Sequence, residues 1–309
     1  MLGEVAPFPP RVRLWGSHGL LPIQPRFDVA IVNWLENKLV DASGRPSLEG
    51  LLKLVAQTLL FRVKARRLVL VRHNRYPHGT QRKYAALVSR CIDLYERLYD
   101  QTVTHSIVEV TRARTYCPHP LYAPAQGAAA ALPPDLALAP GYFLVFGRIE
   151  RYKRVERLIE RFPMNQRLLV VGSAEDSAYA QELARKSRSN VVVAPGFVSD
   201  ELAQALLARA SAMVLSHADD DMVVSGSFFY AVSFGKPVLA VETPFLRWAR
   251  EQLGEEAVLS APDLDGLIER IRDFAATSVP TEGGPLESAR AAFGDESVRS
   301  HVARVLFSP

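Results

Sequence analysis

The sequence predicts an α/β protein of two doubly wound domains facing each other across a cleft. Three observations carry this. Apolar runs of strand length alternate with helix-period segments along almost the whole chain, the pattern of stacked βα units around parallel sheets. A chain of 309 residues with 48% hydrophobic composition suits about two domains with buried cores. A stretch rich in Ala and Pro and almost uncharged, YAPAQGAAAALPPDLALAPG, separates the two series.

In the first series FDVAIVN reads as a strand, residues 47–65 as a helix, RLVLVRH as a strand, residues 81–98 as a helix and residues 102–107 as a strand. The Pro- and Gly-containing residues before Phe27 give no regular strand. In the second, the strands are YFLVFG, RLLVVG, NVVVAP, AMVLSH, PVLAV and a short one near 257–260. Helices at 155–162, 177–186, 200–210, 226–234 and 244–253 lie between them, and helices at 264–275 and 286–306 close the chain. The expected domains are 1–125 and 142–309 with a linker at 126–141, the last helix packing back on the first domain.

Composition narrows the function. No run of about 18 uninterrupted apolar residues occurs, and Pro7, Pro9 and Pro10 interrupt any export-signal pattern. Cys91 and Cys117 are too few for a disulfide framework or a zinc site, so a cytoplasmic setting is expected. Residues 1–140 hold 18 of the 37 Lys and Arg and 10 of the 33 Asp and Glu, net +8, which leaves the remainder at net −4. A basic half attracts phosphorylated ligands or an anionic membrane surface; its densest run is RVKARRLVLVRHNR, residues 62–75. Without an aromatic-rich reader motif, nucleic acid is not the expected partner.

Residues just beyond the carboxyl ends of strands carry the functional information in such sheets. In FGRIERYKRVERLI, Arg148 and Lys153 occupy one strand–helix turn and can hold a diphosphate, the first as a fork of donors and the second as a point charge. In SHADDDMVVSGSFFYAVSFGKPVLAV, Ser225, Gly226 and Ser227 open an apolar helix, and such a helix start cradles an anion. Asp219, Asp220 and Asp221 offer a competing metal site, disfavoured by that helix three residues on. His73 ends a strand of the first domain with His78 in the following loop, both able to exchange a proton near neutral pH. His105 also ends a strand, His119 reads as a hinge-surface residue, and Cys117 as an inert thiol.

These segments together resemble the GT-B glycosyltransferases, enzymes of two Rossmann-like domains that take sugar from a nucleotide diphosphate sugar. FGRIERYKRVERLI is similar to that group's "vGRl…KG…Li" signature, and SGSFFYAVSFGKPVLAVETP to its "G…lEAma.GkPVia" segment. NVVVAPGFVSDELAQALLARASAMVLSH resembles its "f.G.v…el..ly..a…v.pS" segment, and VLVRHN its "v.t.Hd" strand end. The resemblance places Arg148 and Lys153 on the donor diphosphate, Phe197 and Val198 near the nucleobase, and His73 near the transferred sugar. Gly172, closing the strand RLLVVG, joins the donor-binding set with Ser225, Gly226, Ser227 and Tyr230. Many retaining members carry two glutamates eight positions apart here; the corresponding residues are Met222 and Tyr230, neither an acid.

The variant pattern is more similar to bacterial polysaccharide β-mannosyltransferases. It implies metal-independent, inverting transfer of a hexose from GDP-mannose or a UDP-sugar to a glycan or lipid-linked acceptor, with no obligatory cofactor. The base comes from the first domain, with His73, His78 and Asp41 as candidates. Alternatives are a sugar-nucleotide epimerase and a non-catalytic nucleotide-sugar binding protein. A dinucleotide oxidoreductase is disfavoured because no G-x-G-x-x-G follows a strand.

Overall fold

Strand β1 (Phe27–Asn33) and strand β2 (Ala65–Arg72) flank helix α1 (Leu48–Lys64), and helix α2 (Arg82–Tyr95) leads to β3 (Gln101–Thr104) and β4 (Arg114–Tyr116). The four strands form one parallel sheet in the order β1-β2-β3-β4. The structure, a computed structural model, describes residues 26–77, 79–126, 132–136, 138–217, 223–274 and 284–307. Ser47 starts α1 by accepting the Gly50 N–H. Leu54 of α1 and Val88 and Ile92 of α2 then pack with Leu68 and Leu70 on one face of the sheet. The expected strand at 102–107 stops at Thr104, because the chain turns into a 3-10 helix at Ile107–Glu109. β4 was not expected: three residues, RTY, carry no readable alternation.

The second sheet has six parallel strands: β5 (Tyr142–Phe146), β6 (Leu168–Gly172), β7 (Val191–Pro195), β8 (Ala210–Leu215), β9 (Val238–Val241) and β10 (Val258–Ala261). Helices α3 (Val155–Arg161), α4 (Ser177–Lys186), α5 (Asp200–Arg209), α6 (Gly226–Ser233), α7 (Pro244–Leu253) and α8 (Leu264–Asp273) alternate with them. Their order is β10-β9-β8-β5-β6-β7, so the direction of winding reverses between β5 and β8. Near-continuous apolar strands such as LLVVG and ASAMVL are buried throughout, as a parallel sheet covered on both faces requires.

The expected last helix is two: α9 (Pro285–Phe293) and α10 (Asp295–Phe307). Gly294 between them is extended, and a Cβ there would lie 2.3 Å from the Arg290 carbonyl oxygen, so only glycine fits the break. The chain divides into two compact units, Met1–Pro118 with Asp221–Val224 and Asp295–Pro309, and His119–Asp220 with Ser225–Gly294. Helix α10 thus belongs to the first unit, where Val302, Val305 and Leu306 cover Val69, Val103 and Cys117 on the sheet face opposite α1 and α2. Described parts of the Ala/Pro-rich stretch pack with the second unit: the Tyr122 N–H donates to Ser233 Oγ and the Ala125 N–H to Gln204 Oε1.

Candidate functional site

The winding reversal leaves a crevice beyond the carboxyl ends of β5 and β8, the place where open α/β sheets take ligands. A pocket lies there, lined by Phe146, Lys153, Ser216, His217 and Ser227 above a floor of Val145, Val155, Val214 and Leu215. Gly147 lets the walls converge: it has φ 108°, and a Cβ on it would stand 3.1 Å from Ser227 Oγ and 3.7 Å from Lys153 Nζ. Gly172 serves the same corner, since a Cβ at that position, φ 141°, would lie 2.0 Å from the Gly147 carbonyl oxygen. Its part is to let the ends of β5 and β6 close together.

Lys153 ends a 3-10 turn (Arg151–Lys153), and Arg154 turns the chain into α3 with a left-handed φ of 52°. Ser216 Oγ donates to the Lys153 carbonyl at 2.7 Å, tying that turn to the end of β8. Desolvation pushes the Lys153 ammonium down to about 8; Glu150 opposes the shift and the positive Arg148 adds to it. At neutral pH the group is still a cation, poorly hydrated, in a pocket that an anion would complement. Helix α6 opens on the same pocket. Ser225 caps it by accepting the Phe228 N–H, and Ser227 Oγ donates to the Phe146 carbonyl at 2.8 Å, pinning the helix start to β5. The partial positive charge of that helix end adds to the charge of Lys153.

Of the expected donor-binding residues, Lys153 and Ser227 line the pocket together, and Ser225 and Gly226 stand beside it at the start of α6. Arg148 does not line the pocket: its guanidinium is held at the surface by Glu150 at 2.6 Å and Glu175 at 3.2 Å. Phe197, beyond β7, is 90% exposed, with Val198 half-buried before the α5 cap Ser199. Tyr230 is buried against Phe146 and Tyr122, and its hydroxyl finds no hydrogen-bond partner in the described structure. Burial raises its phenol above the usual range. Met222 and Asp219–Asp221 lie outside the described residues. His217 was missed: it is buried at the end of β8, edge-on to Tyr152. The strand-end rule that singled out His73 and His105 applies to it equally.

In the first unit, the ends of β1, β2 and β3 bring Trp34, His73 and His105 together. The His73 imidazole stacks on the Trp34 indole, centroids 3.9 Å apart and planes 7° apart, and lies 5.4 Å from the His105 ring. His73 Nε2 meets Asn33 Oδ1 at 2.9 Å; with the amide oxygen accepting, that nitrogen carries the hydrogen. Asp41 is not part of this group. Its carboxylate accepts the Ser43 N–H and hydroxyl and the Arg45 N–H in a turn, and the Ser43 hydroxyl holds it below the usual carboxylate range, which makes it a weak base. His78 lies outside the described residues. His119 is no surface hinge: it stacks on Phe229 at 4.4 Å.

The basic run at 62–75 is largely spent on internal partners. Arg62 pairs with Asp100, Arg72 with Asp93 and Glu96, and Arg75 with Glu109. These pairs tie the end of α1 and β2, the second strand of four, to α2 and to the segments flanking β3, while Arg66 stays largely exposed beside Asp28.

Residues 140–277 match the family model of glycosyl transferases group 1. No curated protein matches the sequence. Among solved structures, HepE from Anabaena in complex with UDP aligns with a TM-score of 0.58 at 14% identity over 92% of this chain and 79% of its own. WaaG, a glycosyltransferase involved in lipopolysaccharide biosynthesis, gives 0.53 at 15% identity over 87% and 85%. A trehalose-phosphate synthase from Burkholderia xenovorans, in complex with glucose-6-phosphate, gives 0.54 at 13% identity over 82% and 69%. The fold shared with these proteins is the GT-B fold.

Proposed function

Proceeding from a second unit that matches the group 1 glycosyl transferases over residues 140–277, we propose that this protein moves a hexose from a nucleotide diphosphate sugar to a glycan or lipid-linked acceptor. The observation that carries the reading is the pocket at the winding reversal, where Lys153 and the start of α6 present positive charge to one small space. Phosphate oxygens of the donor lie against Lys153 and Ser227, and the base extends toward the exposed Phe197. The HepE complexes with UDP and UDP-glucose favour a uridine donor; a GDP-sugar is the second candidate.

In the reaction the acceptor oxygen attacks the anomeric carbon, the bond from that carbon to the β-phosphate oxygen breaks, and its electron pair leaves on the diphosphate. Lys153 and the α6 dipole stabilise that charge without an obligatory metal. His73 takes the acceptor proton and the configuration inverts. The setting is cytoplasmic with peripheral contact to an anionic membrane, consistent with an exposed basic and apolar face on α2. No helix among the described residues is long and apolar enough to cross a membrane.

Calorimetric titration with UDP and GDP, each with and without Mg²⁺, tests the reading on wild type and Lys153→Ala. Metal-free binding of one nucleotide, weakened at least tenfold by the substitution, is expected. Binding of neither nucleotide, or equal binding by the variant, would overturn it.

A further inference from the structure

We infer that Trp34 is a stacking platform for the apolar face of a pyranose ring at the carboxyl edge of the first sheet. The inference rests on the glycosyltransferase reading only in naming this sugar as the acceptor. Trp34 is 46% exposed although it is one of the largest apolar side chains of the unit. Its backbone is left-handed, φ 61°, a conformation that bulky residues rarely adopt and that persists where the surroundings over-determine it. That conformation takes the chain straight from β1 into the 3-10 turn Leu35–Leu39, which buries Leu39, while Trp34 stays at the surface.

The indole is not loose there. His73 lies parallel to it at 3.9 Å, and His73 is itself held by Asn33 Oδ1. Strand β1 supplies Asn33, with Trp34 directly after it, and His73 directly follows the last residue of β2. The stack is therefore fixed by two rigid elements before any ligand arrives, which lowers the entropy lost on binding. The imidazole covers one indole face, so the exposed area belongs to the other face and the ring edge. A negative π-face of this kind attracts the weakly positive C–H groups on the flat side of a pyranose, while the sugar hydroxyls remain for polar partners.

Covering His73 does not account for the arrangement. An aliphatic residue would shield the imidazole as well, and glycine would relieve the backbone. The structure instead keeps a strained, exposed indole aligned with a histidine, at the sheet edge where ligands bind.

Intrinsic fluorescence tests this, with UDP or GDP present and absent, against methyl glycosides of glucose, mannose and galactose in both anomers. The variants are Trp34→Gly, Trp34→Ala and Trp34→Phe. At least one pyranoside is expected to change the emission that Trp34→Phe subtracts from wild type. Sugar affinity is expected to fall at least tenfold in Trp34→Ala and Trp34→Gly, and less in Trp34→Phe. Nucleotide affinity should stay constant throughout. Trp34→Gly separates binding from folding: it suits the left-handed backbone, so its melting temperature should equal or exceed that of wild type while sugar binding is lost.

Equal sugar affinity in wild type and Trp34→Gly, or no response to any pyranoside, overturns the platform. A Trp34 signal that responds to the nucleotide, with nucleotide affinity falling in the variants, assigns the indole to a base and also overturns it. Absence of nucleotide binding in wild type refutes the glycosyltransferase reading instead, and the sugar titration still decides the platform.

Discussion

Lys153 and Glu36 are the two side chains whose ionisation the fold shifts most usefully for experiment. Lys153, pushed down to about 8, is charged at neutral pH and loses its proton as pH rises through that value. Nucleotide affinity should accordingly fall between pH 7 and pH 9, and the fall should vanish in Lys153→Ala. Glu36 sits in the turn after β1, buried, with neither carboxylate oxygen hydrogen-bonded in the described structure. Desolvation raises it to about 7 from an ordinary 4.5, against the attraction of the Arg72 guanidinium. A carboxyl raised in the folded state costs nothing below its unfolded value; the cost grows as pH rises from the unfolded value to the folded one and levels off at roughly 3 kcal/mol above it. Glu36→Gln should match wild type in urea unfolding at pH 3.5 and exceed it at pH 8; equal curves at pH 8 would show that Glu36 is solvated. Neither shift is visible in the sequence, because desolvation depends on packing by residues distant in the chain. Lys153 was legible as a cation in a strand–helix turn. That Arg148 turns away to Glu150 and Glu175 was not, since Glu175 approaches from the loop after β6.

Helices and strands were legible in proportion to their apolar pattern. The buried strands of the second sheet and the Ser- or Thr-capped helices α1, α5, α6 and α7 stand close to their expected places, because cap and periodicity agree. β4 is too short for periodicity, and the α9–α10 break depends on how Gly294 meets the Arg290 carbonyl. Helix α2 shows what pattern reading passed over. Its inner face is Val88, Ile92 and Tyr95; Leu87 and Leu94 are more than half exposed, and Lys83 and Arg90 lie on the same outer side at helical spacing, with Arg97 in the 3-10 turn that follows. Apolar side chains among cations on one exposed face suit the boundary of an anionic bilayer. We therefore expect sedimentation with liposomes containing phosphatidylglycerol at low salt, reduced several-fold in Leu87→Asp/Leu94→Asp and weakened by 0.5 M NaCl. Equal retention of wild type and the double variant would remove α2 from any membrane contact.

Across the whole molecule, the consequential feature is that the end of the chain completes the unit with which it begins. Between β4 and α10 the chain builds the entire second sheet, then returns Val302, Val305 and Leu306 to cover Val69, Val103 and Cys117. Arg67 Nη1 donates to the Leu306 carbonyl at 2.8 Å, and His301 meets Tyr116 edge-on at 5.4 Å, so the return is fixed by polar and aromatic contacts as well as apolar area. Burying an aliphatic side chain of this kind contributes about 1.5–3 kcal/mol, a large part of a domain's net stability. The first sheet alone would leave one face open, which is why its strands do not suffice without residues nearly two hundred positions away. Cys117 reports on this contact: burial drives its thiol up to about 11 and makes it unreactive. In a Cys91→Ser background, Val305→Asp should make Cys117 react with a thiol reagent under native conditions and lower the melting temperature of the first unit. Nucleotide binding by the second unit should persist. A Cys117 as protected in Val305→Asp as in the parent would mean that α10 is not what closes that face.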